Sequence, residues 1–600
     1  MGPVQSLLNG LSGCILTLGL ALLLLLEPLL VPGIWAQGRR SRRPASSGEA
    51  QALTEEQRIR HALTRLSFGL RPGDIERVKA MGLAAYIDQQ LDPDTIDDSA
   101  LDARLARLRT LALDTPTLIA QYNPPPPAAT PQPPAPKPGA PALSAPVVDQ
   151  PKPAAGDGQK PASAPPARPQ GPPQPMRNPQ QVITELQRAA FLRAAYSERQ
   201  LYETMVAFWE NHFSIFINKD ADRFLMTSFD RDVIRPFALG RFRDLLGATA
   251  RSPAMLFYLD NWQSSVARQV PAAPGKPART VGGINENYAR ELMELHTLGV
   301  DGGYTQKDVQ EVARCFTGWT IRKPNEEGLF YFNPAAHDQG PKTVLGRRIP
   351  AGGGLSDGER VLDILAAHPS TARFIATKLA RRFISDDPPR TVIDRAAAVF
   401  LKTDGSIRET LRAILTAPEF FSRAAYRAKT RSPFEYAVAA VRALGVETDG
   451  DRPILDWVSR MGQPLFGRIT PDGYADRADQ WLSTGLLLER LNFASALAMN
   501  KIKGTRFDAA RLLADIDLND PQQVQARLIE VALGGDATPQ TREALGKAIN
   551  EMRSKPGPAP TTPVAYTHND AAKAAPPHPA SPLVEQLVAL VVGSPEFQRR

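Results

Sequence analysis

At 600 residues, with 42% hydrophobic and 22% charged side chains, the chain can build one large or two medium domains and is neither a mini-protein nor wholly disordered. Its two cysteines, Cys14 and Cys315, exclude a disulfide framework and any cysteine-rich zinc or iron–sulfur site. Half of the formal charge of +8 comes from Arg39, Arg40, Arg42 and Arg43, and the remaining Lys and Arg are scattered among Asp and Glu without a basic stripe, so no nucleic-acid partner is expected.

The N-terminus carries the targeting signal. Ile15 to Leu26 is apolar apart from Thr17 and Gly19, and Ile34-Trp35-Ala36 is a small-residue exit, the pattern of a signal peptide cut after Ala36. A retained membrane anchor is the competing reading of residues 1–36, because Leu11 to Val31 is of crossing length, with Glu27 and Pro28 inside it counting against that. No Lys or Arg precedes the run and the arginine cluster follows it, the reverse of the usual bias. Leu11 to Cys14 mimics a lipoprotein box but stands ahead of the apolar run. Any membrane contact is expected through this segment alone, with residues 37–53 a basic linker.

Thr54 to Gln57 forms a capping box, and Ile59, Ala62, Leu63 and Leu66 follow at helical spacing. Residues 54–123 read as an N-terminal helical part, broken at Pro124. Residues 124–179 hold 21 of the 56 prolines and cannot pack a core, so they read as a disordered Pro/Ala insertion. Helical periodicity returns over 180–553, with Ser197 to Gln200 as the cap of the helix that carries Met205, Phe208, Trp209, His212 and Phe216. The best strand signals, Leu329 to Phe332 and Thr343 to Leu345, suggest one hairpin around His337. A second Pro/Ala break covers 554–582, and a closing helix falls within 583–600. The expectation is a mainly α protein: one large helical domain with one small β-hairpin and Pro-rich insertions.

Familiar catalytic strings are missing or fail in context. There is no HExxH, Walker loop or GxGxxG after a strand. Gly354 to Gly358 spells GxSxG, but Pro350 and Gly352-Gly353 stand where a strand should enter, so Ser356 with Glu359 reads as a helix cap. Asp301 to Tyr304 fails as a calcium loop, since Val309 falls where the bidentate glutamate must be.

The densest polar group runs from Asn285 to Gly299. On a helix Asn287, Arg290, Glu291 and Glu294 share one stripe, while Tyr288, Leu292 and Leu295 make an apolar one. Two readings stand: a cleft wall whose carboxylates and guanidinium do acid–base or binding work, or a solvated face with an internal ion pair. Glu294 and His296 are about 200° apart on an ideal helix and cannot be adjacent ligands. His212, with Phe208 and Phe216 on its own side, reads first as a core histidine, and so does His296. His337-Asp338, in a loop with Lys342 close by, is freer to reach a cleft.

These residues resemble the bacterial domain-of-unknown-function 1800 family. The resemblance rests on His61 to Gly69 (HALTRLSFG), Phe208 to Phe213 (FWENHF), Ser252 to Asn261 (SPAMLFYLDN), Asn285 to Gln306 (NENYARELMELHTLGVDGGYTQ), Thr317-Gly318-Trp319, His337-Asp338, Lys342, Leu345-Gly346, His368 to Pro389, and Ser594 to Phe597 (SPEF). It implies a mainly helical, exported or envelope-associated protein, located in the periplasm or secreted, whose partner could be a sulfatase-like envelope protein encoded nearby. It assigns no activity and no cofactor. The motif positions it marks are Trp209, Asn211, His212, Asn287, Arg290, Glu291, Glu294, His296, His337 and Asp338.

Two functions follow as expectations. One is a noncatalytic scaffold binding a partner protein or surface polymer, with Trp209, Asn211 and Asn287 as binding positions. The other is a metal-assisted hydrolase, with Glu291, Glu294 and Arg290 as catalytic groups and His212, His296, His337 and Asp338 as metal ligands.

Overall fold

The computed structural model describes residues 52–123, 178–272, 274–517, 520–554 and 582–600. The expected targeting segment, most of the basic linker and nearly all of both Pro/Ala-rich stretches lie outside the described residues. Helix makes up 58% of the structure, and strands occur only as two-stranded antiparallel ribbons, so the fold is mainly α.

The helices form where periodicity and capping agree. α1 (Glu55–Leu66) starts on the Thr54–Gln57 capping box and buries Ile59, Ala62, Leu63 and Leu66. Each such large apolar side chain contributes about 1.5–3 kcal/mol of burial. α2 (Pro179–Tyr196) has Pro at its first position, where its missing N–H costs nothing, and is capped by Asn178. α3 (Gln200–His212) carries no side-chain cap, contrary to the expected box. Ser197 Oγ is drawn away to Asp98, and Gln200 instead ties the turn back to the Ser197 and Ala194 carbonyls.

α4 (Glu286–Glu294) covers only the first part of the polar run from Asn285 to Gly299. Asn285 caps it, accepting from Tyr288 N and donating to Leu259 O. Its last turn opens into wider bonds, His296 N to Glu291 O and Leu298 N to Met293 O, which turn the chain inward. α5 (Gln306–Cys315) has the Thr305–Asp308 capping box. α6 (Leu355–Ala366) is capped neither by Ser356 nor through Glu359, because it starts one residue before that serine. Gly358 lies where an added Cβ would be 2.5 Å from the Trp319 ring, so this glycine of the GxSxG string serves packing. α7 (Pro369–Phe383) follows, with His368 as its cap.

The expected hairpin is corrected. Leu329–Phe332 pairs with Trp319–Arg322, whereas Lys342–Val344 pairs with Arg347–Ile349 across Leu345-Gly346. Both turn residues have positive φ, +48° and +75°, as a tight two-residue hairpin requires, and that turn fixes a nearer partner for each strand. Two further ribbons join Ser265–Val270 to Arg279–Gly283 and Glu447–Thr448 to Thr505–Arg506, so the single expected hairpin becomes four ribbons among the described residues.

Buried apolar side chains form two major cores. One is drawn from residues between Ile59 and Ala425, and the other from α8 (Pro433–Ala443), α9 (Thr484–Ala498), α10 (Pro521–Leu533) and α11 (Pro582–Gly593), with Phe68 and Phe191 reaching in. Arg442 ties α8 to α2 and to the segment after α1, donating to Gly69 O at 2.7 Å and Ala195 O at 2.9 Å. Among the described residues no helix is long and apolar enough to cross a membrane.

Candidate functional site

The motif FWENHF lies on the last turns of α3 and divides its work by helical face. Trp209 is fully buried and donates Nε1–H to Ala238 O at 2.9 Å, so it packs the core. Phe208, half-buried, looks the other way into a cleft of about 300 Å³. Asn211 acts on that cleft's opposite wall. Its amide donates to Tyr474 O at 2.8 Å and accepts from Tyr474 N at 2.7 Å, imitating a strand partner for the 463–481 loop. The approach demands glycine at 473: φ is +71°, and a Cβ there would stand 2.1 Å from Asn211 O.

His212 lies beneath the cleft. Its Nε2–H donates to His296 O at 3.1 Å, which leaves Nδ1 to accept from Lys378 Nζ at 2.8 Å. Burial, then the Lys378 charge and neighbouring His296, hold the His212 pKa well below its ordinary value. His296 packs 6.1 Å from His212, ring centre to ring centre, and its Nε2 has no partner. Burial and Lys378 bring its pKa down to about 3. Both rings are therefore neutral at physiological pH. Lys378, on α7, is itself lowered to about 8, first by burial and then by the Arg381 charge, with Asp476 and Asp472 opposing.

The remaining expected ligands are elsewhere. His337 is buried with Nδ1 2.8 Å from Thr317 O and Nε2 3.2 Å from Asp357 Oδ2. Lys342, equally buried, donates to the same carboxylate oxygen at 2.6 Å. Asp338 turns outward to a bidentate pair with Arg314, at 2.8 and 3.1 Å. The structure thus pairs His212 with His296 and places His337 and Asp338 in separate bonded groups. Among the described residues no three His, Cys, Asp or Glu side chains come together to hold a metal ion.

The α4 stripe follows the sequence except at its end: Tyr288 and Leu292 are buried, Asn287 is exposed, and Arg290, Glu291 and Glu294 are half-buried, but Leu295 lies past the last helical residue and is only half-buried. Arg290 reaches Gln306 Oε1 at 2.8 Å and Glu286 at 3.9 Å, not the two glutamates. Glu294 accepts from Tyr304 Oη at 2.9 Å. Burial and the Glu294 charge raise the Glu291 pKa.

The cleft's decisive residues carry little sequence signal. α7 contributes Phe374, Lys378 and Arg381, and the 463–481 loop contributes Asp472, Tyr474, Asp476 and Trp481. The i, i+4, i+7 spacing of Phe374, Lys378 and Arg381 was the one available sign of a shared face.

A large helical protein with an aromatic and cationic cleft between helix α7 and a clamped loop is the class defined by this geometry. The chain belongs to the family described as "Protein of unknown function (DUF1800)", which matches residues 61–599. No curated protein and no solved structure matches it.

Proposed function

We propose that the protein is a noncatalytic, exported scaffold that binds a partner protein or a surface polymer of the cell envelope, with the α7 cleft as its recognition site. The observation that supports this reading is how the motif residues are used. Trp209, Asn211, His212, His337 and Asp338 are each bonded into the fold, while the cleft that Asn211 lines and His212 underlies stays open. A sulfatase-like envelope protein encoded nearby is the candidate protein partner, and the apolar N-terminal segment is the basis for placing the chain outside the cytoplasm.

The hydrolase reading keeps one favourable feature, the raised pKa of Glu291 beside Glu294, which suits a general base. Retention of the full chain on isolated cell-wall sacculi, with metal analysis of the same preparation, separates the two. The scaffold reading expects equal retention of wild type and a Glu291→Gln/Glu294→Gln variant, with bound metal well below one per chain. Stoichiometric metal that the variant loses would overturn it in favour of the hydrolase.

A further inference from the structure

Helix α7 presents Lys378 and Arg381 to the cleft without a counterion. Lys378 Nζ donates to a neutral imidazole, His212, and sits 5.5 Å from the centre of the Phe374 ring. Arg381 donates through Nε to Asp386 O at 3.1 Å. Neither forms an ion pair among the described residues. The carboxylates around the cleft are already committed: Asp472 to Arg468 and Thr470, Asp476 to Lys429, and Glu435 to Arg382 and Arg600.

Two neighbouring cations without a counterion repel each other, and the Arg381 charge adds to burial in depressing the pKa of Lys378. A bound anion would offset that repulsion. Four aromatic side chains, Phe208, Phe374, Tyr474 and Trp481, give the wall flat apolar faces among its polar residues, with the Tyr474 and Trp481 rings 5.9 Å apart. A space of about 300 Å³ is at the small end for a ligand pocket and suits a body about one ring in size.

We propose that this cleft binds a small oxyanion carried on a flat apolar body, with Lys378 and Arg381 holding the anion and the aromatic walls packing the body. The proposal rests on reading the cleft as a recognition site, but not on the absence of catalysis. Carboxylates, phosphate esters and sulfate esters share the required chemistry.

Calorimetric titration of the full chain with phenyl phosphate, inorganic phosphate and phenol tests it, with benzoate and phenyl sulfate distinguishing the anion. Phenyl phosphate is expected to bind about tenfold or more tightly than either inorganic phosphate or phenol, because only it engages both features. Arg381→Gln and Lys378→Met should each weaken it about tenfold. Arg381 is half-exposed with a single backbone contact, so its variant reports on the site even if Lys378→Met misfolds. Affinity should also fall above about pH 8, as Lys378 loses its proton in the field of Arg381, Asp472 and Asp476 above the neutral His212 and His296. No binding of phenyl phosphate at roughly 10 mM, where even a weak site would respond, or binding that neither variant changes, overturns the proposal. Equal affinity for inorganic phosphate overturns the role of the aromatic walls. A negative titration leaves retention on sacculi untouched, so the two readings fail separately.

Discussion

Lys342 and Lys378 each stand in a cluster that holds a histidine, yet their surroundings differ in one respect. Beside Lys342 the third partner is a carboxylate, Asp357, which also meets His337, and all three side chains are shut away from solvent. Beside Lys378 the third partner is another cation, Arg381, and the group opens on a cleft. A buried charge costs several kcal/mol unless it is paired and hydrogen-bonded. The first cluster meets that condition within the fold. The second does not, and this is the physical basis for assigning structure to one and binding to the other.

The largest expected effect comes from breaking the closed cluster. Lys342→Met removes the ammonium from a carboxylate whose other oxygen, Oδ1, already lacks a partner. It should lower stability by about 3–5 kcal/mol, measured as the urea midpoint at pH 7. A loss below about 1 kcal/mol would mean that His337 alone can balance Asp357 and that the contrast with Lys378 is weaker than the geometry implies.

Much of the frame behind this comparison could be read from the chain, and the reasons are local. The capping box at Thr54 worked because it needs only residues three apart. The polar and apolar stripes of α4 followed from helical periodicity. The strand pairing around His337 did not, because the two positive-φ residues at Leu345-Gly346 decide it and leucine gives no hint of that conformation. The Ser197 cap failed for a long-range reason, since its hydroxyl is taken by Asp98, 99 positions away in the chain. The site was the least legible part. His212 and Asn211 were visible as motif residues, but their partners Lys378 and Tyr474 lie 166 and 263 positions away. Lys378 and Arg381 look like ordinary basic residues of an amphipathic helix until the 463–481 loop closes over them.

A second, smaller effect concerns the imidazoles beside Lys378. His296 stays neutral in the native protein down to about pH 3, whereas its unfolded counterpart takes a proton near 6.5. Below pH 6.5 the unfolded chain therefore binds more protons, so this contribution to stability is lost as pH falls. The slope is at most about 1.4 kcal/mol per pH unit, or roughly 2 kcal/mol between pH 6.5 and 5. Because Nε2 of His296 has no partner, His296→Leu should fold, and its stability should fall less steeply with acid than that of wild type. Parallel curves in urea titrations from pH 7 to pH 5 would show that His296 is solvated in solution.

The smallest expected effect is the sharpest test of the contrast. Lys378→Met takes away an ammonium that has no carboxylate and leaves His212 Nδ1 to water entering from the cleft, so stability at pH 7 should change by less than about 1.5 kcal/mol. The pH dependence carries the signature. With the folded pKa near 8 and the unfolded value near 10.5, the unfolded chain holds more protons between those limits, and wild-type stability should rise through that window. Lys378→Met should lack the rise, while Lys378→Arg, which cannot discharge, should stay destabilised across it. If wild type and Lys378→Met instead follow the same curve from pH 7 to pH 10, the ammonium is not held against Arg381, and the cleft loses the unbalanced charge that distinguishes it from the closed cluster at Lys342.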